Sequence, residues 1–181
     1  MRSLRVSHIA SMAWCQVKAK ALFDGAEPPP TPESERGRIM HALLGFDENV
    51  PVRGEYGGYA ITGHIDRIVT SGGCKTVYEL KTHGGTYPLN FLVAPAHLQA
   101  NLYAYFSRAD YYVVLVYFLD NESFWGAKAK ADPRRAEEDL AKAVSIAEGT
   151  VEPVPTGYAW KCSACFLADR CQKSPQREGG A

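Results

Sequence analysis

The stretch YAITGHIDRIVTSGGCKTVYELKT, residues 59–82, predicts the centre of the fold. Its two halves are rich in β-branched and aromatic residues, which favour strands. The sequence SGGC, residues 71–74, lies between the halves and is typical of a turn. We therefore predict a β-hairpin, with one strand over residues 59–70 and the other over residues 75–82.

This hairpin carries three candidate catalytic side chains. Glu79 and Lys81 are two positions apart, so on a strand they project from the same face, and strand pairing lets Asp66 join them. Leu80 points the other way, but its carbonyl oxygen lies between the two and offers a further ligand. Two carboxylates beside a lysine suit a hard cation such as Mg²⁺, and the lysine can orient water or neutralise phosphate charge.

The spacing of these residues indicates a chemistry. Twelve residues separate Asp66 from Glu79, which gives a D-x12-E-x-K pattern. This is an arrangement of metal-dependent phosphodiester hydrolysis. An E-x-K pair is also common on solvent-facing strands that have no catalytic role, so the pattern alone leaves both interpretations open.

Two predicted helices add candidates. Thr31 can cap a helix over residues 32–46, which carries His41 as a nitrogen ligand that makes Mn²⁺ competitive with Mg²⁺. A helix over residues 94–108 places Gln99 and Tyr103 one turn apart on one face, where they can orient the lysine or hold DNA. The alternatives are a structural histidine and the polar edge of an amphipathic helix.

The other segments predict helices around a small sheet. Residues 6–23 have apolar positions at helical spacing, residues 111–119 form an apolar strand, and residues 124–131 form a further strand. Asp132 can cap a helix that ends at Gly149. Together these elements predict a mixed α/β core in a single domain over residues 1–181.

A cysteine pattern follows the proline-containing linker of residues 151–157. Cys162, Cys165 and Cys171 form a C-x2-C-x5-C run, which is one thiolate short of a tetrahedral metal or cluster site. Four thiolates fit either a zinc ion or an iron–sulfur cluster, and a zinc ribbon more often has two C-x-x-C pairs. Clustered cysteines in a reducing compartment bind metal more often than they form disulfides.

Composition limits the class of protein. The chain has 20 basic and 20 acidic residues, so bulk charge does not indicate a nucleic-acid partner, and any basic patch must be local. The longest apolar run, residues 111–119, is shorter than the roughly 20 residues of a membrane-spanning helix. No signal peptide is evident at the start. We therefore expect a cytoplasmic protein without a membrane partner.

Four motifs follow one another in the chain. They are G-x-x-x-H at Gly37 and His41, G-x-x-D at Gly63 and Asp66, E-x-K at residues 79–81, and Q-x-x-x-Y at residues 99–103. This order resembles the RecB-type branch of the PD-(D/E)xK nucleases. One cysteine before the motifs and three after them resemble the CRISPR-associated iron–sulfur exonucleases of that branch, which take part in spacer acquisition.

The resemblance implies a restriction-endonuclease-like core, with a mixed sheet flanked by helices, and a metal-dependent catalytic site. The implied catalytic residues are Asp66, Glu79, Lys81, Gln99 and Tyr103. The implied metal ligands are His41, Asp66, Glu79 and the carbonyl of Leu80, and the implied ion is Mg²⁺ or Mn²⁺.

The resemblance also implies a cysteine-ligated cluster. Its ligands would be Cys15, Cys162, Cys165 and Cys171, with 4Fe–4S favoured over zinc. A C-terminal segment over residues 158–175 would then be completed by Cys15 on the first helix, and the cluster would tie the two ends of the chain together. Cys74, in the hairpin turn, is predicted to be a non-ligand.

The implied activity is exonuclease action on single-stranded DNA ends, usually 5′ to 3′, with CRISPR adaptation integrase proteins as further partners. Two alternatives are a non-catalytic, cluster-stapled DNA-binding adaptor and the nuclease subunit of a recombination helicase complex. The candidates for base stacking are Tyr56, Tyr59, Tyr87 and Phe91. The candidates for phosphate contacts are Lys161, Arg170 and Lys173.

Overall fold

A computed structural model of the chain describes residues 2–85 and 87–171. One sheet has the order β1-β3-β2, formed by β1 (Arg2–Arg5), β2 (Val50–Tyr56) and β3 (Tyr59–Ile65). The other has the order β4-β5-β6-β7, formed by β4 (Arg67–Ser71), β5 (Cys74–His83), β6 (Tyr111–Phe118) and β7 (Ser123–Lys130). The helices are α1 (Val6–Ala10), α2 (Gln16–Phe23), α3 (Pro32–Leu43), α4 (Asn90–Ser107), α5 (Pro133–Glu148) and α6 (Ala159–Ser163).

Both sheets are mixed. In the first, β3 pairs in parallel with β1 and antiparallel with β2. In the second, β5 pairs in parallel with β6, while β4 and β7 pair antiparallel with their neighbours. The predicted α/β class with mixed strand pairing is confirmed, but the single sheet is wrong, since the described strands divide into two sheets.

The predicted hairpin is confirmed in its second half. Ser71 pairs with Cys74 around a two-glycine turn, residues 72–73, whose φ angles of 57° and 78° suit a tight hairpin. The single strand over residues 59–70 is wrong, because it breaks at Asp66 between β3 and β4. The Asp66 side chain accepts a hydrogen bond from the backbone N–H of Leu80, in place of a backbone carbonyl of a neighbouring strand.

The first sheet was not predicted, apart from the residues of β3. The strand β1 has four residues, of which only Leu4 is buried. The strand β2 contains Pro51 and mostly half-exposed or exposed positions, as expected for an edge strand. Strands this short and polar carry little hydrophobic periodicity, so the local sequence does not indicate them. Only their pairing with β3 in the structure shows that they are strands.

The continuous first helix predicted over residues 6–23 is wrong. After α1 the chain makes a 3₁₀ turn, Ser11–Ala13, and Cys15 is extended with φ −166° and ψ 123° before α2 begins. The break exposes the first N–H groups of α2 to a partner. Gln16 uses this opening, because its backbone N–H donates to the Val154 carbonyl at 3.3 Å and its Oε1 accepts from the Val154 N–H at 3.2 Å.

The starts of α3 and α5 were predicted correctly. Thr31 caps α3 by accepting a hydrogen bond from the Ser34 N–H, and Asp132 caps α5 by accepting one from the Arg135 N–H. The helix α5 ends at Gly149, whose φ of 75° suits a glycine cap. The predicted end of α3 at residue 46 is wrong, because the helix stops at Leu43.

The helix α4 organises the core. It begins four residues before the predicted start and runs through Pro95. Ala96, Ala100 and Ala104 are fully buried, and Ala96 and Ala100 pack with Val114 of β6. Small side chains at this spacing let the helix lie close to its neighbours. The largest fully buried side chains of the main core are Ile9, Ile61, Ile65, Leu102, Leu140 and Ile146.

None of the helices in the described ranges combines the length and the apolarity that a membrane span requires.

Candidate active site

Asp66 lies where the chain crosses from one sheet to the other. Its Oδ2 accepts a hydrogen bond from the Leu80 N–H at 2.8 Å, and its Oδ1 lies 3.4 Å from Nδ1 of His41 on α3. Burial lowers the pKa of His41, but the hydrogen bond and the negative charge of Asp66 raise it by more, so that it lies above its ordinary value. The structure therefore brings His41 and Asp66 together, as the sequence predicted.

Glu79 is almost completely buried, with 1% of its surface exposed. Its Oε1 lies 2.6 Å from Nζ of Lys81, as the two-residue spacing on β5 predicted. Burial raises the pKa of Glu79 to about 7, while the Lys81 ammonium acts in the opposite direction and the Asp66 charge adds to the increase. Its Oε2 is buried and has no hydrogen-bond partner within the described residues.

Lys81 is held from both sides. Its Nζ donates a hydrogen bond to Oε1 of Gln99 at 3.1 Å, and Nε2 of Gln99 donates to the hydroxyl of Tyr103 at 3.4 Å. Burial lowers the pKa of Lys81, but the charge and hydrogen bond of Glu79 outweigh it, so that the pKa is raised and the ammonium form is retained. The predicted link from Gln99 and Tyr103 to the lysine is therefore present in the geometry.

Two motif glycines allow these elements to approach. A Cβ on Gly37 would lie 3.2 Å from Oγ1 of Thr82, so the helix that carries His41 sits directly on β5. A Cβ on Gly63 would lie 2.6 Å from Cε1 of Tyr103, closer than side-chain contacts allow. The G-x-x-D glycine therefore makes room for the tyrosine that supports Gln99.

We expect Gly63→Ala to destabilise the protein and to lower its activity. The added methyl must displace Tyr103, and overpacking of this kind costs roughly 1–3 kcal/mol. At about 2–4 °C per kcal/mol for a domain of this size, the melting temperature should fall by several degrees. Gly84→Ala is the matched control, since a Cβ there meets nothing within 4 Å and the φ angle is not positive. Equal melting temperatures for both variants would contradict the proposed packing.

The donor set fits a hard divalent cation. Glu79 offers a buried oxygen without a partner, and Asp66 is close enough to raise the pKa of Glu79. The N–H and C=O of a strand residue point to the same side, so the Leu80 carbonyl faces the edge at which Asp66 lies. Mg²⁺ needs only one or two carboxylates and keeps several waters, which matches two carboxylates and a carbonyl.

A complete set of three metal-ligating side chains is not formed, however. Within residues 2–85 and 87–171, no group of three or more His, Cys, Asp or Glu side chains is arranged so that it could hold a metal ion. Oε1 of Glu79 is engaged by Lys81.

The raised pKa of Glu79 predicts an unusual dependence of stability on pH. Because this pKa rises from 4.5 to about 7, the folded protein binds a proton that the unfolded chain has lost over this interval. The free energy of unfolding of the metal-free protein should therefore fall as the pH rises from about 4.5 to about 7. The affinity for Mn²⁺ should instead increase as the pH rises, by up to about tenfold per pH unit, since the metal needs the carboxylate.

Chemical unfolding in EDTA at pH 5 and pH 8, with Glu79→Gln beside the unsubstituted protein, checks this sign. The amide cannot ionise, so the variant should lose the part of the pH dependence that Glu79 contributes. Identical pH profiles for the two proteins would show that Glu79 titrates as an ordinary exposed carboxyl.

The four predicted cluster ligands lie near one another but do not form a metal site. Cys15, Cys162, Cys165 and Cys171 line one cavity, which lies between the start of α2 and the C-terminal segment, and within the described residues no three of them are arranged so that they could hold a metal ion. Cys74 is exposed in the hairpin turn and takes no part. The sequence predicted that Cys15 lies on the first helix. This is wrong, because Cys15 lies at the extended break before α2. The last four residues of the predicted 158–175 segment lie outside the described residues.

An aromatic cluster next to these cysteines was missed. Trp14 and Trp160 have ring centroids 5.5 Å apart, and both contact Tyr87, at 5.9 and 6.0 Å. Each tryptophan is one or two residues from a candidate cysteine ligand, namely Cys15 or Cys162. If the cysteines come together in the fold, the two tryptophans must come together as well. The cluster could therefore have been predicted from the positions of Trp14 and Trp160 in the sequence.

Several DNA-contact predictions need correction. Lys161 is 4% exposed, and its Nζ lies over the rings of Phe91 and Trp14, at 4.2 and 4.6 Å, so it does not face solvent. Tyr59 is buried in the main core and cannot stack on a base. Arg170 is exposed and stays a candidate, whereas Lys173 lies outside the described residues.

One groove is lined both by residues of this cluster and by Lys81. The lining of this Lys81 groove includes Trp14, Lys18, Lys81, Tyr87, Phe91 and Gln99. Two of the predicted stacking candidates, Tyr87 and Phe91, therefore lie in one groove with Lys81. Tyr56 instead packs against the main core, and its hydroxyl donates to the Glu137 carbonyl at 3.4 Å.

Known structures share this fold. The crystal structure of SSO0001 matches with a TM-score of 0.65 over 96% of this chain and 87% of that chain, at 16% sequence identity. A protein from Eubacterium rectale, provisionally named an exonuclease, matches with a TM-score of 0.57 over 96% and 90% of the two chains, at 12% identity. At such identities the likeness shows the fold alone. No curated protein sequence matches this chain.

The sequence also matches a family model. The model of the PD-(D/E)XK nuclease superfamily aligns with residues 31–172, which is most of the chain. This range contains the helix with His41, the break between β3 and β4 with Asp66, the strand with Glu79 and Lys81, and the helix with Gln99. The chain therefore belongs to the PD-(D/E)XK nuclease superfamily.

Proposed function

We propose that this protein is a metal-dependent exonuclease that hydrolyses phosphodiester bonds at the ends of single-stranded DNA. One observation carries the proposal: the buried, unpartnered Oε2 of Glu79 lies on a residue that is also paired with Lys81 and influenced by Asp66. A buried carboxylate oxygen without a partner is costly in a purely structural role, and a cation would compensate for that cost.

The proposed metal site uses the residues at the junction of the two sheets. Asp66, Glu79 and the Leu80 carbonyl would hold Mg²⁺ or Mn²⁺, with His41 as a further ligand or as the group that orients Asp66. When bound, such an ion supplies Lewis acidity, which lowers the pKa of a water and offsets charge on the phosphate.

Lys81 completes the site. Its ammonium is fixed between Glu79 and Gln99, so it can donate to an attacking water or to a phosphate oxygen without first having to be ordered. Gln99 acts through the lysine and is a positioning residue. Tyr103 is 2% exposed and supports Gln99 from behind. None of these groups requires a conformational change to reach the lysine.

The finer assignment rests on the motif order. Cleavage of 5′ ends in the 5′ to 3′ direction and a role in CRISPR spacer acquisition with integrase proteins are what the resemblance implies. An adaptor without catalysis is the weaker alternative, because a module that only binds DNA gains nothing from two carboxylates close to a polyanion.

We also propose that the four cysteines hold a 4Fe–4S cluster. Support comes from their shared cavity and from the exclusion of Cys74 from it. The cavity joins residues near the start of the chain to residues near its end, so a cluster there would act as a clamp. Lys161, buried beside Cys162, would place a positive charge near the thiolates.

Blocking one end of the substrate tests the direction of cleavage. We expect a single-stranded oligonucleotide with streptavidin on its 5′ end to resist digestion in Mn²⁺, while the same oligonucleotide blocked at its 3′ end is degraded to mononucleotides or short products. Digestion of a covalently closed single-stranded circle at the rate of the linear form would show endonuclease action and overturn the exonuclease assignment.

A further inference from the structure

The Lys81 groove combines aromatic and basic side chains in one continuous depression. Trp14, Tyr87 and Phe91 are half-buried, and all three line the groove. Lys18 lies at the same groove, with its Nζ 5.9 Å from the centroid of Trp14. The same groove is also lined by Lys81 and Gln99, which belong to the proposed catalytic site.

The aromatic residues of the groove pack against other rings, which restricts their movement. Tyr87 stacks on His83 at 4.9 Å with an interplanar angle of 26°, and on Trp160 at 6.0 Å with an angle of 23°. His83 is buried and fixes the loop through its ring, since Nδ1 accepts from the Gly85 N–H and Nε2 contacts the Tyr87 carbonyl. The Tyr87 ring therefore has little freedom to turn away from the groove.

Lys161 joins the remaining rings. Its Nζ lies 4.2 Å from the Phe91 centroid, 4.6 Å from the Trp14 centroid and 5.1 Å from the Tyr158 centroid, and donates a hydrogen bond to the Trp14 carbonyl at 3.4 Å. A cation over several aromatic faces is favourable when it is shielded from water. The segment that carries the C-terminal cysteines therefore holds Trp14 and Phe91 in place.

We infer that Trp14, Tyr87 and Phe91 form a base-stacking subsite for the nucleotides next to the bond that is cleaved. We call these three residues the aromatic wall. The inference rests on the proposed function, and it assigns to single-strand recognition a set of residues that lies outside the four nuclease motifs. Aromatic faces accept any base, so the wall gives preference for unpaired bases without sequence specificity.

The charge pattern of the groove favours this occupant over a purely apolar one. Lys18 and Lys81 stand at the groove with the aromatic wall, which suits a backbone phosphate on one side of a nucleotide and a base on the other. Bases in a duplex are already stacked and paired, so they cannot reach the wall without melting. Unpaired DNA avoids this cost.

Binding of two oligonucleotides tests the inference without any cleavage. The protein carries Asp66→Asn in EDTA, and the probes are a fluorescein-labelled oligothymidylate and a tract of the same length in which the central nucleotides are abasic. Both probes have the same phosphates. We expect the abasic tract to bind more weakly, by between about fivefold and about 150-fold for each lost stacking contact.

Two substitutions identify the residues responsible. Phe91→Leu and Tyr87→Leu should each weaken binding of the thymidylate probe by about fivefold or more, and leave binding of the abasic tract unchanged. Phe124→Leu on β7 is the matched control, because this ring is 51% exposed and lies outside the groove. It should change neither affinity. Melting temperatures identify a variant that has lost its fold.

Equal binding of both probes by the unsubstituted groove would overturn the inference, even if a variant fails to fold. Unchanged affinity for the thymidylate probe in both folded variants would overturn it as well. Failure of the proposed function has a different signature: the base-dependent binding would persist, while the protein with Asp66 intact would show no metal-dependent cleavage.

Discussion

Cleavage of single-stranded DNA should fall by at least about 100-fold when Asp66 is replaced by Asn, and by a similar factor in Glu79→Gln and Lys81→Met. Metal and charge stabilisation at a transferring phosphate is worth several kcal/mol, and each 1.36 kcal/mol corresponds to about a tenfold change in rate. Asn and Gln keep the shape of the carboxylates, so the fold should be retained. Initial rates on an end-labelled oligonucleotide in Mn²⁺ measure the effect.

Two further variants sharpen this prediction. His64 lies on β3, two residues before Asp66, and its side chain is exposed, so His64→Ala should leave the rate unchanged. Gln99→Ala should have an intermediate effect of about 10-fold to 100-fold, because Gln99 only positions Lys81. Near-normal activity in Asp66→Asn, Glu79→Gln or Lys81→Met would show that the reaction takes place elsewhere.

Loss of Cys15 should have the largest effect on stability. If the four cysteines hold a 4Fe–4S cluster, anaerobically purified protein is brown, and Cys15→Ser should lose the colour as completely as Cys162→Ser, although Cys15 is far away in sequence. A cross-link that closes so long a loop contributes about 5 kcal/mol in the loop-entropy model, so the melting temperature should fall by about 10 °C or more.

Cys74→Ser is the control for this effect. The residue is exposed in the hairpin turn and should affect neither the colour nor the melting temperature. Colourless native protein with stoichiometric zinc would contradict the iron–sulfur cluster but preserve the clamp. A Cys15→Ser protein that retains its full cluster would contradict the clamp itself. Some attachment should survive in any case, because Gln16 and Val154 pair through two hydrogen bonds that need no metal.

The position of the proposed catalytic residues followed from local rules. Glu79 and Lys81 share a strand face because side chains alternate along a strand. The two-glycine turn makes β4 antiparallel to β5, which places Asp66 beside them. The starts of α3 and α5 were predicted from Thr31 and Asp132, because capping is decided by a few adjacent residues. In each case the relevant information lies within a short stretch of sequence.

Features that depend on distant contacts could not be predicted in this way. The break before α2 satisfies its free N–H through Val154, which lies more than a hundred residues later in the chain. The burial of Lys161 follows from aromatic rings that come from three separate segments. A lysine in a charged tail reads as solvent-exposed, so only the fold shows that this one is enclosed.

Digestion of end-labelled single-stranded DNA by the purified protein is the most direct test of metal-dependent hydrolysis at Asp66. The assay compares Mn²⁺ with EDTA, and the unsubstituted protein with Asp66→Ala. We expect shortening of the labelled strand with Mn²⁺, none with EDTA, and a loss of at least about 100-fold in the variant. Equal digestion by Asp66→Ala, or no digestion by the unsubstituted protein in Mn²⁺ or Mg²⁺, would contradict the assignment.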